Sequence, residues 1–86
     1  MLFPKLLTAN AKNFERWENP VKQRYYIAYI NIDLFGDYVI TRVWGKKDQL
    51  IGKIVHTPFS SYQEAVNMFA TIRKRRLHRG YHAVKI

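Results

Sequence analysis

The fold is decided by residues 24–46, which read RYYIAYINIDLFGDYVITRVWGK. The first part, up to Asp33, is dense in aromatic and β-branched residues, the types that strands favour. The four residues that follow, LFGD, supply the glycine and aspartate that a chain reversal needs. The chain then returns from Tyr38 to Lys46 with similar apolar character. This pattern predicts a β-hairpin.

Further strand signals flank the hairpin. Residues 14–18, FERWE, alternate aromatic and charged side chains, which predicts a short edge strand ended by the turn signal Asn19-Pro20. On the other side, Leu50 to Phe59 predicts a third long strand, and Pro58 limits it to an edge or a strand end. Three antiparallel strands in succession indicate a meander.

The periodicity changes after Ser61, which stands three residues before Glu64 as in a capping box. A helix is predicted from about Tyr62 to Arg79, with Gly80 ending it. Its apolar stripe comprises Tyr62, Ala65, Val66, Phe69 and Ile72. Residues 81–86 are apolar and β-branched enough for a last strand. The sequence therefore predicts an α+β fold, an antiparallel meander of about 4–5 strands with one α-helix packed on one face.

Composition points to a single small domain with a polyanionic partner. The 86 residues carry 15 Lys and Arg against 6 Asp and Glu, a formal net charge of +9. With no cysteine, neither a disulfide framework nor a thiolate site can reinforce a core that is marginal at this length. We expect residues 1–13 to be a weakly ordered N-terminal segment and residues 14–86 to form the domain.

Membrane and secretion signals are missing from the sequence. The longest stretch without Asp, Glu, Lys or Arg, Ile54 to Gln63, has ten residues, far short of the roughly 20 that a bilayer span requires. The apolar start is interrupted by Pro4 and Lys5 and lacks a sustained hydrophobic region, so no signal peptide is predicted. We expect a cytoplasmic protein, associated with the nucleoid if it binds DNA.

Neither catalysis nor metal binding is indicated. His78 and His82 are four residues apart, but Gly80 separates them and no cysteine or nearby carboxylate completes a site. The aspartates fall in turns or loops, Glu64 is accounted for as a cap, and no nucleophile–base pair is suggested. We therefore expect no enzyme activity, no cofactor and no metal.

Two features are candidates for binding a polyanion. Trp44 is followed by Gly45, Lys46 and Lys47, and its strand position suits either an ordinary core aromatic or a stacking platform beside cations. Glycine in a strand also commonly marks a bulge or a turn. Residues 73–79, RKRRLHR, place five cations in seven residues at the helix C-terminus. These cations form either a phosphate-tracking patch or a solvated face that complements the helix dipole.

A longer series of residues carries a family resemblance. It consists of RYY at 24–26, DLFG at 33–36, WGK at 44–46, then Phe59, Ser60, Ser61, Ala65, Phe69, Arg76, Gly80 and Tyr81. In this order and spacing, over about residues 14–82, the chain resembles the WGR domain, named for a Trp-Gly-Arg triplet. The resemblance identifies residues 14–86 as a WGR-like domain of the short stand-alone kind that bacteria carry.

The resemblance implies a nucleic-acid-binding module. In DNA-damage-responsive poly(ADP-ribose) polymerases, a WGR domain beside the catalytic domain recognises the broken DNA end. By likeness, Trp44 would stack on sugar, Gly45 would allow close approach and Lys46 would contact a phosphate, with Gln23 where the family often has Asn. Lys46 replaces the family's Arg, so charge attraction remains while the bidentate fork that selects a terminal phosphate is lost.

These observations predict a non-catalytic module that binds nucleic acid. DNA is expected in preference to RNA, and strand ends are among the candidate targets. The residues expected to make contact are Gln23, Arg24, Trp44, Gly45, Lys46, Lys47, Arg73, Arg76 and Arg79. The alternative is a protein-interaction or adaptor domain that uses an edge strand or an aromatic sheet face of Tyr25, Tyr26, Tyr29 and Tyr38. The chain is expected to be a monomer or a weak dimer.

Overall fold

In a computed structural model of the chain, residues 12–49 and 52–85 are described. Their elements in chain order are β1 (Lys12–Asn19), β2 (Arg24–Ile32), β3 (Tyr38–Lys46), β4 (Lys53–Phe59), α1 (Tyr62–His78) and β5 (His82–Val84). The described strands form one antiparallel five-stranded sheet in the order β4-β3-β2-β1-β5. The helix packs on one face of this sheet. The predicted α+β class, the meander and the single packed helix are confirmed.

The hairpin forms as its sequence predicts. β2 and β3 pair in register from Arg24 opposite Lys46 to Ile32 opposite Tyr38. β4 is an outer strand of the described sheet, in agreement with the expectation that Pro58 lies on an edge. The predicted start of this strand at Leu50 lies outside the described residues. So do residues 1–11 of the N-terminal segment expected to be weakly ordered, whereas Lys12 and Asn13 belong to β1.

The prediction that residues 14–18 form an edge strand is wrong. β1 lies between β2 and β5, and Arg16, Trp17 and Glu18 pair with residues 82–84 of β5. Alternation of aromatic and charged residues indicates that one face of a strand is more apolar than the other. It does not indicate whether the strand pairs with one neighbouring strand or with two. The last strand pairs with the other side of β1, and the Trp17 side chain is fully buried in the core under the helix.

The tyrosines of β2 do not form an exposed face, which corrects the premise of the adaptor alternative. Tyr25, Tyr26 and Tyr29 are each at most 5% exposed. Tyr26 belongs to the main core under the helix, whereas Tyr25 and Tyr29 belong to a second cluster with Ile27 and Val43. β2 is the central strand of five, and its near-continuous apolar sequence is the signature of a strand buried on both faces.

The helix begins and ends at structured caps. The Ser61 hydroxyl accepts a hydrogen bond from the Glu64 backbone N–H at 3.1 Å, as the capping box predicts. At the other end, Gly80 has a φ of 84°, and its N–H and that of Tyr81 donate to the carbonyls of Leu77 and Arg76. This double bond pattern is a Schellman motif, which needs a residue in the left-handed region and therefore favours glycine.

The buried side of α1 is narrower than the predicted stripe. Ala65, Phe69 and Ile72 are buried, whereas Val66 is half-buried and Tyr62 is exposed. The Tyr62 ring lies at the start of the helix, 5.6 Å from that of Tyr38. Among the described residues, no helix is both long and apolar enough to cross a membrane.

Candidate functional site

Four chain segments meet at the end of the sheet that lies opposite the hairpin turn. Strand pairing places Asn19 of β1, Arg24 of β2 and Lys46 of β3 in one row. The C-terminus of α1 reaches the same place because the Asn19 side-chain amide donates to the Arg79 carbonyl at 3.2 Å. Asn19 is nearly buried, and its side-chain oxygen also accepts from the Lys22 N–H at 3.1 Å. One buried amide therefore joins the end of the helix to the turn before β2.

An open cleft of about 470 Å³ lies at this junction. Its described lining residues are Lys22, Arg24, Lys46, Arg76, Arg79 and Tyr81, which we call the basic cleft. Five of the six carry a positive charge, and none carries a negative one. Cations gathered around one concave surface reinforce each other's field and attract an anion. The cleft therefore favours a ligand with several negative charges.

Arg76 is the cleft cation that is held most firmly. Its guanidinium carbon lies 4.1 Å from the ring centroid of Tyr26 and 5.0 Å from that of Tyr81. The Arg76 Nε is buried and has no hydrogen-bond partner among the described residues. A buried donor without a partner costs about 1–3 kcal/mol, so such a group in a native fold calls for an explanation. Stacking on two rings offsets part of this cost.

Trp44 lies at the border between the core and the positively charged surface. The ring is half-buried and stacks on Tyr26, with centroids 5.5 Å apart and planes 13° from parallel. Charged groups of Arg42 and Lys53 each lie 5.8 Å from the Trp44 centroid. Trp44 is two positions before Lys46 on the same face of β3, so it continues the positive surface beyond the basic cleft.

Gln23 and Lys47 lie in a second groove that shares Lys22 and Lys46 with the basic cleft. The Gln23 side chain donates to the Pro20 carbonyl at 2.6 Å, and its backbone has a φ of 52°. The Lys47 Nζ lies 2.5 Å from Glu18 Oε1. This hydrogen bond to Lys47 lowers the pKa of Glu18, with a smaller effect in the same direction from Arg16. Lys47 therefore already has a carboxylate partner.

The remaining two predicted residues lie away from the cleft lining. Arg73 is bound to Glu15 of β1, and its Nε is 3.2 and 2.9 Å from the two carboxylate oxygens. The Arg73 Nη2 also contacts Glu15 Oε2, and these hydrogen bonds raise the pKa of the guanidinium. Gly45 faces Gly52, where an added Cβ would lie 3.1 Å from the Gly52 Cα. The lack of a side chain at Gly45 serves the approach of the chain segment before β4.

Sequence reasoning missed two residues that line the cleft. Lys22 follows the turn signal at Asn19-Pro20, and a tight turn there would have placed it beside Arg24. Tyr81 follows the glycine that ends the helix, and the Schellman geometry directs it back over the sheet, where its ring is buried. Both positions depend on turn geometry, which hydrophobic periodicity does not report.

The described residues contain no group of three or more His, Asp or Glu side chains that could hold a metal. A small antiparallel sheet, one covering helix and a cation-lined cleft where they meet define an α+β module with positive charge concentrated at one end. The model of the WGR domain family matches residues 8–85, and the chain belongs to this family. WGR domains are binding modules rather than catalytic domains, and they are associated with nucleic acids. No curated protein and no solved structure matches the chain significantly.

Proposed function

We propose that the chain is a non-catalytic module that binds DNA, with the phosphate backbone in the basic cleft. The convergence of five cations from three parts of the chain on one open cleft supports this proposal most strongly. Backbone phosphates lie at regular short intervals, so a row of Lys and Arg can neutralise several of them at once. On this proposal the chain acts in the cytoplasm, associated with the nucleoid.

The cleft residues divide the work by their chemistry. Arg24, Lys46 and Arg79 lie at the ends of their elements and contact phosphates as charges. The exposed part of Trp44, beside Arg42 and Lys53, offers a flat apolar surface on which a sugar or a base packs. Because the Trp44 ring stacks on the Tyr26 ring, this surface is already in place before a ligand binds.

The positions of lysine and arginine in the cleft are exchanged relative to the family pattern that the sequence resembles. Lys46 stands where the motif has Arg, and Arg76 stands on the helix where the family usually has Lys. A guanidinium can grip a phosphate with two parallel N–H groups, whereas an ammonium acts as a point charge. In this chain the planar fork comes from α1, held by Tyr26 and Tyr81, and we propose that it selects a phosphate at a strand end.

The salt dependence of binding tests the proposal. Five phosphate contacts on duplex DNA predict that log K falls against log salt with a slope of roughly −4 to −5. Arg24→Ala and Lys46→Ala should each reduce the magnitude of this slope by about 1. Lys74→Ala removes an exposed helix cation that does not line the cleft, and its slope should match that of the unmodified chain. Absence of binding to any oligonucleotide at low salt would refute the proposal.

End preference is measured on a panel of nicked, blunt-ended, circular and single-stranded DNA. If Arg76 supplies the fork, Arg76→Lys should lose the preference for ended over circular duplex while retaining salt-dependent affinity. The double variant Lys46→Arg with Arg76→Lys restores the usual family arrangement and should regain part of the preference. An Arg76→Lys chain with unchanged end preference would show that the fork on α1 has no such role.

A further inference from the structure

The loop that joins β2 to β3 presents two large apolar side chains to solvent. Leu34 is 99% exposed and Phe35 is 89% exposed, and the neighbouring Ile32 is half-exposed. We call residues 33–37 the hairpin loop. β2 and β3 each have nine residues, so at about 3.3 Å per residue the hairpin loop lies roughly 30 Å from the basic cleft. The proposed binding of DNA therefore leaves these side chains unused.

The hairpin loop is held in one shape by Asp33. One carboxylate oxygen of Asp33 accepts hydrogen bonds from the Phe35 and Asp37 N–H groups, each at 2.9 Å. The Asp33 carbonyl accepts from the Gly36 N–H at 3.2 Å, and its N–H donates to the Asp37 carbonyl at 3.0 Å. A loop fixed in this way loses little conformational entropy when its apolar side chains are buried by a partner.

The same chain has a pocket whose chemistry matches that of the loop. This seam pocket, of about 230 Å³, opens between α1 and the strands β3 and β4. Its apolar lining includes Ile40, Phe59, Met68 and Ile72, and Arg42 and Arg75 also line it. An aromatic side chain is of a size to enter, and two guanidiniums would then stand near the two carboxylates of the hairpin loop. The apolar side chains of the loop match the apolar lining of the pocket, and the charges of Asp33 and Asp37 are opposite to those of Arg42 and Arg75.

We propose that the hairpin loop of one copy docks in the seam pocket of a second copy, and that this contact is made twice in a symmetric dimer. Ile40 of the seam pocket is only two residues from Tyr38, where β3 leaves the hairpin loop. Because the loop and the pocket are so close together, two copies related by a twofold axis can each place their loop in the pocket of the other. Such an arrangement is complete as a dimer and adds no further copies. Phe35 is the central anchor, and the Asp–Arg pairs set the orientation.

Charge supports a copy of this chain as the occupant. The chain as a whole carries a net charge of +9, which makes two copies repel each other at most of their surface. The hairpin loop bears two carboxylates and no cation, so it is a place where a second copy meets local attraction. No basic-cleft residue lines the seam pocket, so the dimer would carry two clefts and be bivalent for a long polyanion.

The mass of the protein in solution tests the dimer. Sedimentation from about 1 μM to 1 mM at physiological salt should show a reversible rise to twice the mass of one chain. Phe35→Ser in the loop and Met68→Glu in the pocket should each weaken dimerisation by about tenfold or more. Both side chains are exposed, so the variants should fold, and circular dichroism checks that they do. Val21→Ser, an exposed apolar position outside both surfaces, is the matched control and should dimerise normally.

A mixture of the two variants separates this contact from any other. One intact loop and one intact pocket remain in a Phe35→Ser and Met68→Glu pair, so the mixture should associate more tightly than either variant alone. The proposal is overturned if the unmodified chain stays monomeric over the whole concentration range or forms assemblies larger than a dimer. It is also overturned if the Phe35→Ser and Met68→Glu variants dimerise as well as the unmodified chain. The seam pocket and the basic cleft have no lining residue in common, so failure of the dimer would leave DNA binding by single chains intact.

Discussion

Arg76 lies over the ring of Tyr26, with its guanidinium carbon 4.1 Å from the ring centroid. This contact fixes a cation of the last turn of α1 on the central strand of the sheet. The ring of Tyr26 also stacks on that of Trp44, so one tyrosine links a helix cation to the tryptophan of the WGR motif. Packing of the core and placement of the binding groups therefore depend on the same side chain.

Substitutions of Arg76 should separate its packing from its charge. Arg76→Lys keeps the charge but loses the flat contact with two rings, and we expect the free energy of unfolding to fall by about 1 kcal/mol. Arg76→Met keeps an apolar stem and removes the unpartnered buried donor, so it should be at least as stable as Arg76→Lys while binding DNA less well. Urea unfolding measures the stability, and Lys74→Met is the control on the exposed face. A fully stable Arg76→Lys chain would contradict the stacking account.

Glycine at position 52 is required by close packing. A Cβ there would meet the carbonyl of Trp44 and lie 2.5 Å from the Tyr25 hydroxyl, so backbone would have to move. We expect Gly52→Ala to lower the free energy of unfolding by about 1–3 kcal/mol and to displace the end of β3 that bears Lys46, together with the following Lys47. Gly36→Ala meets no atom within 4 Å and should cost about 1 kcal/mol through its positive φ alone. Equal costs for the two variants would contradict this distinction.

Glu18 should make stability depend on pH in the acid range. Its hydrogen bond with Lys47 lowers the pKa of Glu18 in the folded chain. A lowered folded-state pKa gives stability that is complete above the unfolded value, about 4.3 for glutamate, and lost as the pH falls through the folded value. We expect Glu18→Gln to flatten the fall in unfolding free energy below about pH 4.3. Asp48→Asn, at an exposed carboxylate in the loop after β3, is the control.

The same substitution should affect binding in the opposite direction. Glu18→Gln releases Lys47 from its carboxylate, so the chain gains one available cation beside the basic cleft. Affinity for duplex DNA at neutral pH should rise, and the salt slope should become steeper by up to about 1. An affinity that falls despite a folded chain would place Glu18 in the binding surface itself.

Arg73 should matter for the fold and little for the ligand. It is half-exposed and paired with Glu15, so Arg73→Ala should cost about 0–1 kcal/mol of stability. The salt slope for DNA should stay within error of the unmodified value. Arg79→Ala, the matched change of a cation that lines the cleft, should make the slope shallower by about 1. If Arg73→Ala made the slope shallower and Arg79→Ala did not, the DNA interface would lie nearer to β1 than to the basic cleft.

Local signals account for the parts of the fold that the sequence predicts. Two runs of aromatic and β-branched residues separated by LFGD predict the hairpin. The cap at Ser61 and the glycine at position 80 set the ends of the helix to within one residue. The place of β1 between β2 and β5 depends on a pairing between the two ends of the chain. A three-residue strand carries too little pattern to announce that pairing.

The site is predictable to a similar extent. The resemblance to the WGR motif and the cation cluster at the end of α1 predict Arg24, Lys46, Arg76 and Arg79 as contacts of one ligand, and the fold brings these four to one cleft. Helical spacing alone could not show that Arg73, three residues before Arg76, is paired with a glutamate 58 positions earlier. Lys22 and Tyr81 line the cleft because of the turns that precede them. The buried Asn19 amide holds the turn before β2, but from the sequence alone Asn19 indicates only that a turn is present.

Amide chemical shifts during titration with a short blunt-ended DNA duplex test the central claim most directly. The account predicts that the largest shifts map to residues 22–24, 44–47 and 76–81, around the basic cleft, and that they reverse as salt is added. Amides of the hairpin loop, residues 33–37, should shift least when the chain is kept dilute. Shifts centred on the hairpin loop or on the outer strand β4, with the cleft amides unchanged, would contradict DNA binding in the basic cleft.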